Sequence, residues 1–208
     1  MKKVLLAFSG GIDSTHAARV LQRQGYAVTA MTLDTVGDTV MLANAEAKAR
    51  ALGIDFFVED VRTAFSEKVE RYFSEEYLRG RTPAPCTVCN AEIKWKVLYE
   101  KAIAGGFDHI ATGHYFNLVR RGGFYYVSCA ADKVKDQSYY LWMLPQEILA
   151  MALTPMGDTI KREVVEKLPG GESRKESMGV CFLNGRGCGQ YLMQKFAGSP
   201  TLPGAMCP

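Results

Sequence analysis

The sequence has no apolar run long enough to span a membrane, and it carries little excess charge of either sign. Its first residues, Met1-Lys2-Lys3, lead into a short apolar stretch that has no small-residue cleavage region, which excludes a secretory signal of the usual kind. We therefore expect a cytoplasmic protein with no membrane partner. Because the net charge is only +3 over 208 residues, any contact with nucleic acid has to come from local patches.

The lysine of a Walker loop is also missing, although a glycine turn directly follows the apolar residues 4–6. This turn predicts a nucleotide site formed by Ala7, Phe8, Ser9, Gly10, Gly11, Ile12, Asp13 and Ser14. Paired glycines let the backbone approach a polyphosphate, and the N–H groups of the following helix attract anions. Asp13 would repel phosphates unless a cation lies between them, which predicts Mg²⁺. The alternative is a structural strand-to-helix turn with a serine or aspartate cap.

Short β-rich runs alternate with helical periodicities along the first half of the chain. The pattern predicts strands at 4–8, 27–33, 55–58 and 107–111 and helices at 15–24, 40–52, 65–77 and 91–104. Such alternation is typical of an α/β fold, with a parallel sheet and helices on both faces. The carboxyl edge of that sheet would bring the glycine turn close to residues 112–115.

Other segments are predicted to extend this fold. Residues 118–128 alternate like a β-hairpin, and residues 133–144 suggest a helix with an aromatic face. Two prolines predict an exposed loop at 79–90, and a helix at 161–168 leads to a flexible Pro169-Gly170-Gly171. We expect an ATP-binding catalytic domain at 1–145 that carries this cysteine loop, followed by an extension at 146–208.

A complete second CxxC motif is absent, which disfavours a four-cysteine zinc site. The single CxxC, Cys86 to Cys89, serves zinc, redox and iron–sulfur chemistry alike. Cys129 fits a small buried hydrophobe, whereas Cys188 and Cys207 suggest no role. Six cysteines are many for a reducing compartment, where clustered thiols indicate metal or redox chemistry.

Six motifs occur in the order seen in the tRNA-specific 2-thiouridylases, the MnmA/TrmU family of PP-loop ATP pyrophosphatases. They are SGGIDS, PAPCTVCNAEIKW, ATGHY, KDQSYYLW, TPMGD and GVCFL. The resemblance implies an enzyme that uses ATP and Mg²⁺ to adenylate the 2-carbonyl of a wobble uridine in tRNA. It then implies replacement of that oxygen by sulfur, which arrives as a persulfide from a cysteine desulfurase or a sulfur-relay protein.

The resemblance also implies roles for individual residues. Cys89 matches the nucleophile and Cys181 the carrier of the persulfide, and the two would form a transient disulfide. Leu33 and Gly113 match adenosine-binding positions, alongside the glycine turn. The positions implied to contact tRNA are Ala84, Pro85, Cys86, His114, Lys135, Asp136 and Gln137.

Several of these positions have a structural alternative. His114 could cap a strand end, Lys135 could be a solvated lysine, and Leu33 is mainly a wall residue. The aromatic side chains of Tyr139, Tyr140 and Trp142 favour core packing over base stacking.

Two departures from the family pattern leave alternatives open. Cys86 stands where the family commonly has an aspartate, so Cys86, Cys89 and Cys181 could instead hold a [4Fe-4S] cluster. The chain also ends at Pro208, before the small β-rich domains with which the family holds tRNA. Other functions that remain are a different PP-loop adenylating ligase and a non-catalytic ATP- or RNA-binding fragment.

Overall fold

The computed structural model describes residues 1–166, 179–183 and 185–197. Five parallel strands form one sheet in the order β3-β2-β1-β4-β7, and two antiparallel strands form a hairpin, β5-β6. The strands are β1 (Lys3–Ala7), β2 (Ala27–Asp34), β3 (Asp55–Asp60), β4 (His109–Thr112), β5 (Asn117–Arg121), β6 (Phe124–Ser128) and β7 (Ala152–Leu153). The predicted strands, the hairpin and the parallel α/β sheet are confirmed, whereas β7 is too short to have been predicted.

Helices cover both faces of the sheet. They are α1 (Ile12–Arg23), α2 (Thr39–Ala51), α3 (Arg62–Phe65), α4 (Arg71–Leu78), α5 (Pro85–Cys89), α6 (Trp95–Ala104), α7 (Gln146–Met151), α8 (Lys161–Glu166) and α9 (Cys188–Lys195). Two π-helical turns interrupt this series, Ser66–Glu70 between α3 and α4 and Asn90–Lys94 between α5 and α6.

The central strand β1 is buried on both faces, so its side chains pack into two separate apolar cores. Val4 and Leu6 pack with α1 and α2 on one face, and Leu5 packs with α6 and α7 on the other. A strand buried on both sides has to be apolar throughout, which is why β1 carries a continuous apolar run.

A third apolar cluster lies away from the sheet, under α3 and α4. Phe65 and Phe73 from these helices contact the ring of Phe182, with ring centroids 5.7 and 5.1 Å apart. Tyr191 of α9 joins the same cluster. This packing fixes the segment that precedes α9 against the amino-terminal part of the chain.

The prediction of an exposed loop over the whole of 79–90 is wrong. Pro85 begins helix α5, and it stands at the first helical position, where a missing N–H costs nothing. Pro85 and Thr87 are buried, and Cys86 and Cys89 are half-buried. The helix continues through the π-helical turn into α6, so both cysteines lie on a rigid element.

The predicted helix at 133–144 is also wrong, because only Ser138–Tyr140 forms a single 3₁₀ turn. Asp136 accepts hydrogen bonds from the Ala130 N–H and the Ser138 hydroxyl, and such local bonds compete with helix formation. Leu141 is buried, whereas Tyr139 and Trp142 are 60% and 72% exposed. The expectation that the aromatic run packs in the core is therefore wrong.

Cys129 is exposed, so its interpretation as a small buried hydrophobe is wrong as well. The predicted 161–168 helix is seen as α8 up to Glu166. The Pro169-Gly170-Gly171 segment and Cys207 lie outside the described residues. Within the described ranges, no helix is long and apolar enough to cross a membrane. The boundary between residues 145 and 146 stays a prediction.

Gly113 gives a test of how tightly the sheet edge packs on α1. A Cβ at Gly113 would lie 2.9 Å from the backbone N of Ser14 and 3.1 Å from the backbone carbon of Asp13. We expect Gly113→Ala to lower the free energy of unfolding by about 1–3 kcal/mol, because backbone atoms cannot yield as a side chain can. Thermal unfolding measures the effect. Gly187→Ala is the control, since nothing lies within 4 Å of its Cβ position, and equal losses in the two variants would contradict the prediction.

Candidate nucleotide and thiol site

The glycine turn lies at the carboxyl end of β1 and opens directly into α1. Gly10 has a φ of +67°, and a Cβ there would lie 2.8 Å from the Ala45 Cα, so only glycine fits. Gly11 is the N-cap of α1 and has no side chain to cover the first N–H groups of the helix. Ser9 and Ser14 place their hydroxyl oxygens 3.4 Å apart beside this turn. The Ser14 hydroxyl donates to the Gly11 carbonyl and the Gly11 N–H donates to the Ser9 hydroxyl, so these side chains hold the turn at the amino end of α1, where helix N–H groups attract anions.

A cavity of about 500 Å³ opens in front of this turn. Among the predicted nucleotide-site residues, the cavity is lined by Ala7, Phe8, Ser9, Asp13, Ser14, Leu33 and Gly113. Four residues predicted for the thiol chemistry and for tRNA line the same cavity: Cys89, Cys181, His114 and Gln137. Gly10, Gly11 and Ile12 shape the turn without lining the cavity.

Asp13 has a protein cation as its partner. The Lys161 Nζ lies 2.6 Å from the Asp13 Oδ1, and the Tyr115 hydroxyl donates to the same oxygen at 2.8 Å. Lys161 is 8% exposed, so α8 holds this ammonium group firmly over the first turn of α1. Because Lys161 already provides a positive charge beside Asp13, the charge of this carboxylate no longer requires Mg²⁺. Binding of Mg²⁺ stays a prediction. Lys161 was missed in the sequence, where it is simply the first residue of a polar helix.

A second cavity of about 290 Å³ adjoins the first. Its walls include Pro85 and Cys86, which were predicted to contact tRNA, and Tyr140. The residues that line both cavities are Phe65, Cys89, Lys94, His114, Gln137 and Cys181. Cys89 and Cys181 thus lie on the wall that the two cavities share.

The three thiols differ in burial. Cys181 is exposed, whereas burial raises the pKa of Cys89 to about 11, with Lys94 opposing the shift and Cys181 and Cys86 adding to it. Burial also raises the pKa of Cys86, and here the influence of Cys181 adds to the shift while Lys94 opposes it. At neutral pH Cys89 is therefore a thiol, which a nearby positive charge can help to ionise.

Lys94 lies beside the buried His114 and favours the neutral form of its imidazole. The Lys94 Nζ lies 3.4 Å from the His114 Nε2, and the His114 Nδ1 lies 2.8 Å from the Thr112 Oγ1. Burial, and then Lys94, lower the pKa of His114 well below its usual value, so the imidazole is neutral. With the ammonium donating to Nε2, the proton is on Nδ1 and points to Thr112. This arrangement fixes Lys94 at the wall between the cavities.

Three predicted tRNA-contacting residues line neither cavity: Ala84, Lys135 and Asp136. The Ala84 N–H donates to the Tyr72 hydroxyl, and the Lys135 N–H donates to Asp132. Asp136 shapes the turn described above. Their contacts with tRNA stay predictions, as does that of His114, which lines both cavities.

The cluster alternative finds no support in this arrangement. Across 1–166, 179–183 and 185–197, no group of three or more His, Cys, Asp or Glu side chains is placed to hold a metal ion. Cys86, Cys89 and Cys181 line a common region, yet burial favours the protonated form of Cys86 and Cys89. A [4Fe-4S] cluster stays a prediction.

The fold and the site define an α/β domain of the PP-loop class. Residues 2–185 match the family described as tRNA methyl transferase HUP domain, and the chain belongs to that family. A solved structure, a predicted subunit of tRNA methyltransferase from Methanocaldococcus jannaschii, has a TM-score of 0.52 and 20% identity over 80% of this chain and 73% of its own. That likeness concerns the fold alone.

Relatives of known name are more similar in sequence. The tRNA-specific 2-thiouridylase MnmA 1 of Bacteroides fragilis is 43% identical over 87% of this chain and 52% of its own length. The tRNA-specific 2-thiouridylase MnmA of Desulforamulus reducens is 39% identical over 95% of this chain and 59% of its own length. The chain therefore spans between half and three fifths of these relatives.

Lys94 gives a test of the electrostatics around Cys89. We expect Lys94→Gln to slow alkylation of Cys89 by iodoacetamide at pH 8 by roughly 3- to 10-fold, because the thiolate loses a nearby cation. Peptide-resolved mass spectrometry measures the rate at Cys89 separately from the other thiols. Lys96→Gln, an exposed neighbour on α6, is the matched control. Unchanged reactivity in the Lys94 variant would show that this charge does not act on Cys89.

Proposed function

We propose that the chain is the catalytic part of an ATP-dependent tRNA sulfurtransferase that converts a wobble uridine into 2-thiouridine. The observation that carries the proposal is that Cys89 and Cys181 line the same cavity as the glycine turn. An adenylating site and two thiols are what replacement of a carbonyl oxygen by sulfur requires. The names of the relatives, tRNA-specific 2-thiouridylases, support the same activity.

In this proposal ATP binds in the larger cavity with its phosphates at the glycine turn and the amino end of α1. The helix N–H groups, the Ser9 and Ser14 hydroxyls and the Lys161 ammonium group favour the negative charge there. Leu33 and Gly113 lie on the cavity wall and suit the adenosine end. Mg²⁺ would bind to the phosphates themselves and help pyrophosphate to leave.

The target base would enter the smaller cavity, next to both thiols. The 2-carbonyl oxygen attacks the α-phosphorus of ATP, which forms an adenylate and releases pyrophosphate. The terminal sulfur of a persulfide on Cys181 then attacks C2 of the base, and AMP leaves with the former carbonyl oxygen. A Cys89 thiolate attacks the Cys181 Sγ, which forms a Cys89–Cys181 disulfide and releases the thiocarbonyl base. A thiol reductant has to supply two electrons before the next cycle.

The contrast between the two thiols fits this division of labour. Cys181 is exposed, so a cysteine desulfurase or sulfur-relay protein can reach it with a persulfide. Cys89 is half-buried and its pKa is raised to about 11, which slows early disulfide formation with the nearby Cys181 thiol. The substrate tRNA would cover both cavities, and Lys94 would stabilise negative charge on sulfur or phosphate at their shared wall.

Cysteine variants test this proposal through the product. With tRNA, ATP, Mg²⁺ and a persulfide donor, we expect the chain to form 2-thiouridine, detected by mass spectrometry of digested nucleosides. Cys89→Ser and Cys181→Ser should lower product formation by at least 100-fold, because each removes a sulfur that makes or breaks a bond. Cys129→Ser is the control, since this exposed thiol lines neither cavity.

The same experiment separates the alternatives. Unchanged thiolation in either serine variant would overturn the two-cysteine scheme. Pyrophosphate release that persists without any thiolated nucleoside would favour another adenylating ligase, and nucleotide binding without pyrophosphate release would indicate a binding module. Iron and a visible absorption band in anaerobically purified protein would favour the cluster.

A Lys161 variant independently tests where the phosphates of ATP bind. We expect Lys161→Met to weaken ATP binding by roughly 10- to 100-fold, because it removes a cation and leaves the Asp13 carboxylate facing the phosphates. Isothermal titration with a non-hydrolysable ATP analogue measures the affinity. Arg162→Met changes the adjacent, 84% exposed cation on the same helix and should leave the affinity within about 2-fold. Equal effects in the two variants would contradict the placement of the phosphates.

A further inference from the structure

Cys86 is a nucleophile that the proposed reaction does not use. It is half-buried, stands on α5 three residues before Cys89, and lines the smaller cavity together with Cys89 and Cys181. Transfer of one sulfur atom needs two thiols, one that carries the persulfide and one that releases the product. The third thiol of this cavity is therefore available for the step that follows the transfer.

The three thiols lie close enough to influence one another. Burial raises the pKa of Cys89 to about 11, Lys94 opposes this shift, and Cys181 and Cys86 add to it. Burial likewise raises the pKa of Cys86, with Cys181 adding to the shift and Lys94 opposing it. Because charges are screened beyond about 10 Å, these mutual effects indicate one cluster of thiols. Lys94 favours the thiolate of Cys86 and of Cys89, which is the form that attacks a disulfide.

The geometry of α5 favours a bridge between Cys86 and Cys89. The backbone is helical from Pro85 to Cys89, and the Asn90 Nδ2 donates to the Cys86 carbonyl oxygen at 2.9 Å. Residues three apart in an α-helix share a face and have Cα atoms about 5 Å apart, within the roughly 4.4–6.8 Å that disulfides span. The bridge draws the two Cβ atoms together by about 1–2 Å, which a first helical turn tolerates because its N–H groups lie outside the helical ladder.

We propose that Cys86 attacks the Cys89 Sγ of the Cys89–Cys181 disulfide left by sulfur transfer, so that the disulfide moves to the Cys86–Cys89 pair and Cys181 is released. The proposal rests on the sulfurtransferase function proposed above. The Cys86 thiol loses its proton and its sulfur bonds to the Cys89 Sγ, while the Cys89–Cys181 bond breaks and the Cys181 thiolate takes up a proton. One disulfide is consumed and one is formed, so the exchange itself needs no oxidant or reductant.

The exchange separates sulfur loading from reduction. A Cys89–Cys181 bond ties residues 179–183 to α5 and blocks the sulfur that has to receive the next persulfide. After the exchange, Cys181 is again a free thiol in an exposed position, and the thiol reductant acts on the Cys86–Cys89 pair instead. Cys86 is thus a further catalytic residue, which regenerates the loading thiol.

The test determines which cysteines are joined after one turnover. The chain is incubated with tRNA, ATP, Mg²⁺ and one equivalent of a persulfide donor without reductant, alkylated with N-ethylmaleimide and digested with trypsin under non-reducing conditions. The tryptic peptide 82–94 holds both Cys86 and Cys89, whereas 176–186 holds Cys181, so mass spectrometry distinguishes an internal bridge from a cross-link. We expect the internal bridge in roughly 10-fold excess, because two thiols on one helix have the higher effective concentration.

A second arm omits the reaction. The chain alone is equilibrated with excess oxidised glutathione, and the internal bridge should again exceed the cross-link by roughly 10-fold. In both arms Cys86→Ser should reverse the result, with 82–94 cross-linked to 176–186 and Cys181 not alkylated. Cys129→Ser, which removes a thiol outside both cavities, should leave the ratio unchanged. The ratio in the wild-type chain decides the matter even if the Cys86 variant does not fold.

The outcomes separate this exchange from the proposed function. A wild-type chain that forms 2-thiouridine and keeps the cross-link overturns the exchange and leaves the sulfurtransferase function standing. A chain that forms no 2-thiouridine overturns the proposed function, and the glutathione arm still decides the pairing: a cross-link there overturns the exchange too, whereas an internal bridge supports Cys86 and Cys89 as the favoured pair. Bound iron that protects all three thiols from alkylation overturns the exchange as well.

Discussion

The packing of Phe182 into the cluster under α3 and α4 is the contact on which the site depends. Its ring lies edge-on to Phe65 and Phe73, and it is almost completely buried. Cys181 precedes it directly, so burial of one aromatic side chain places a thiol at the cavity that the glycine turn, some 170 positions earlier in sequence, also lines. Hydrogen bonds between neighbouring residues could not bring together segments so far apart in sequence, whereas apolar packing can.

The sequence predicted the architecture well wherever one local pattern decided it. The apolar run of β1 and the glycine turn after it predict the strand and the helix together, because each follows from a few neighbouring residues. Pro85 misled because it was interpreted as ending a helix, although a proline also begins one. The 133–144 segment misled because its periodicity resembled a helix, while the side chain of Asp136 bonds to the backbone and stops it.

The residues missed in the sequence share one property, which is that their partners are distant. Lys161 contacts Asp13, which lies 148 residues away in sequence, and Lys94 contacts His114. The π-helical turn that ends at Lys94 also contacts the other one, since the Lys68 Nζ lies 2.9 Å from the Glu92 Oε2.

The difference in burial between Cys89 and Cys181 affects how each thiol reacts with peroxide. Peroxide reacts with thiolates that it can reach, and oxidation beyond the sulfenic acid is not readily reversed. Cys89, half-buried and with a raised pKa, is partly shielded from that damage, whereas Cys181 is exposed. Oxidation by peroxide would therefore begin at Cys181 rather than at Cys89.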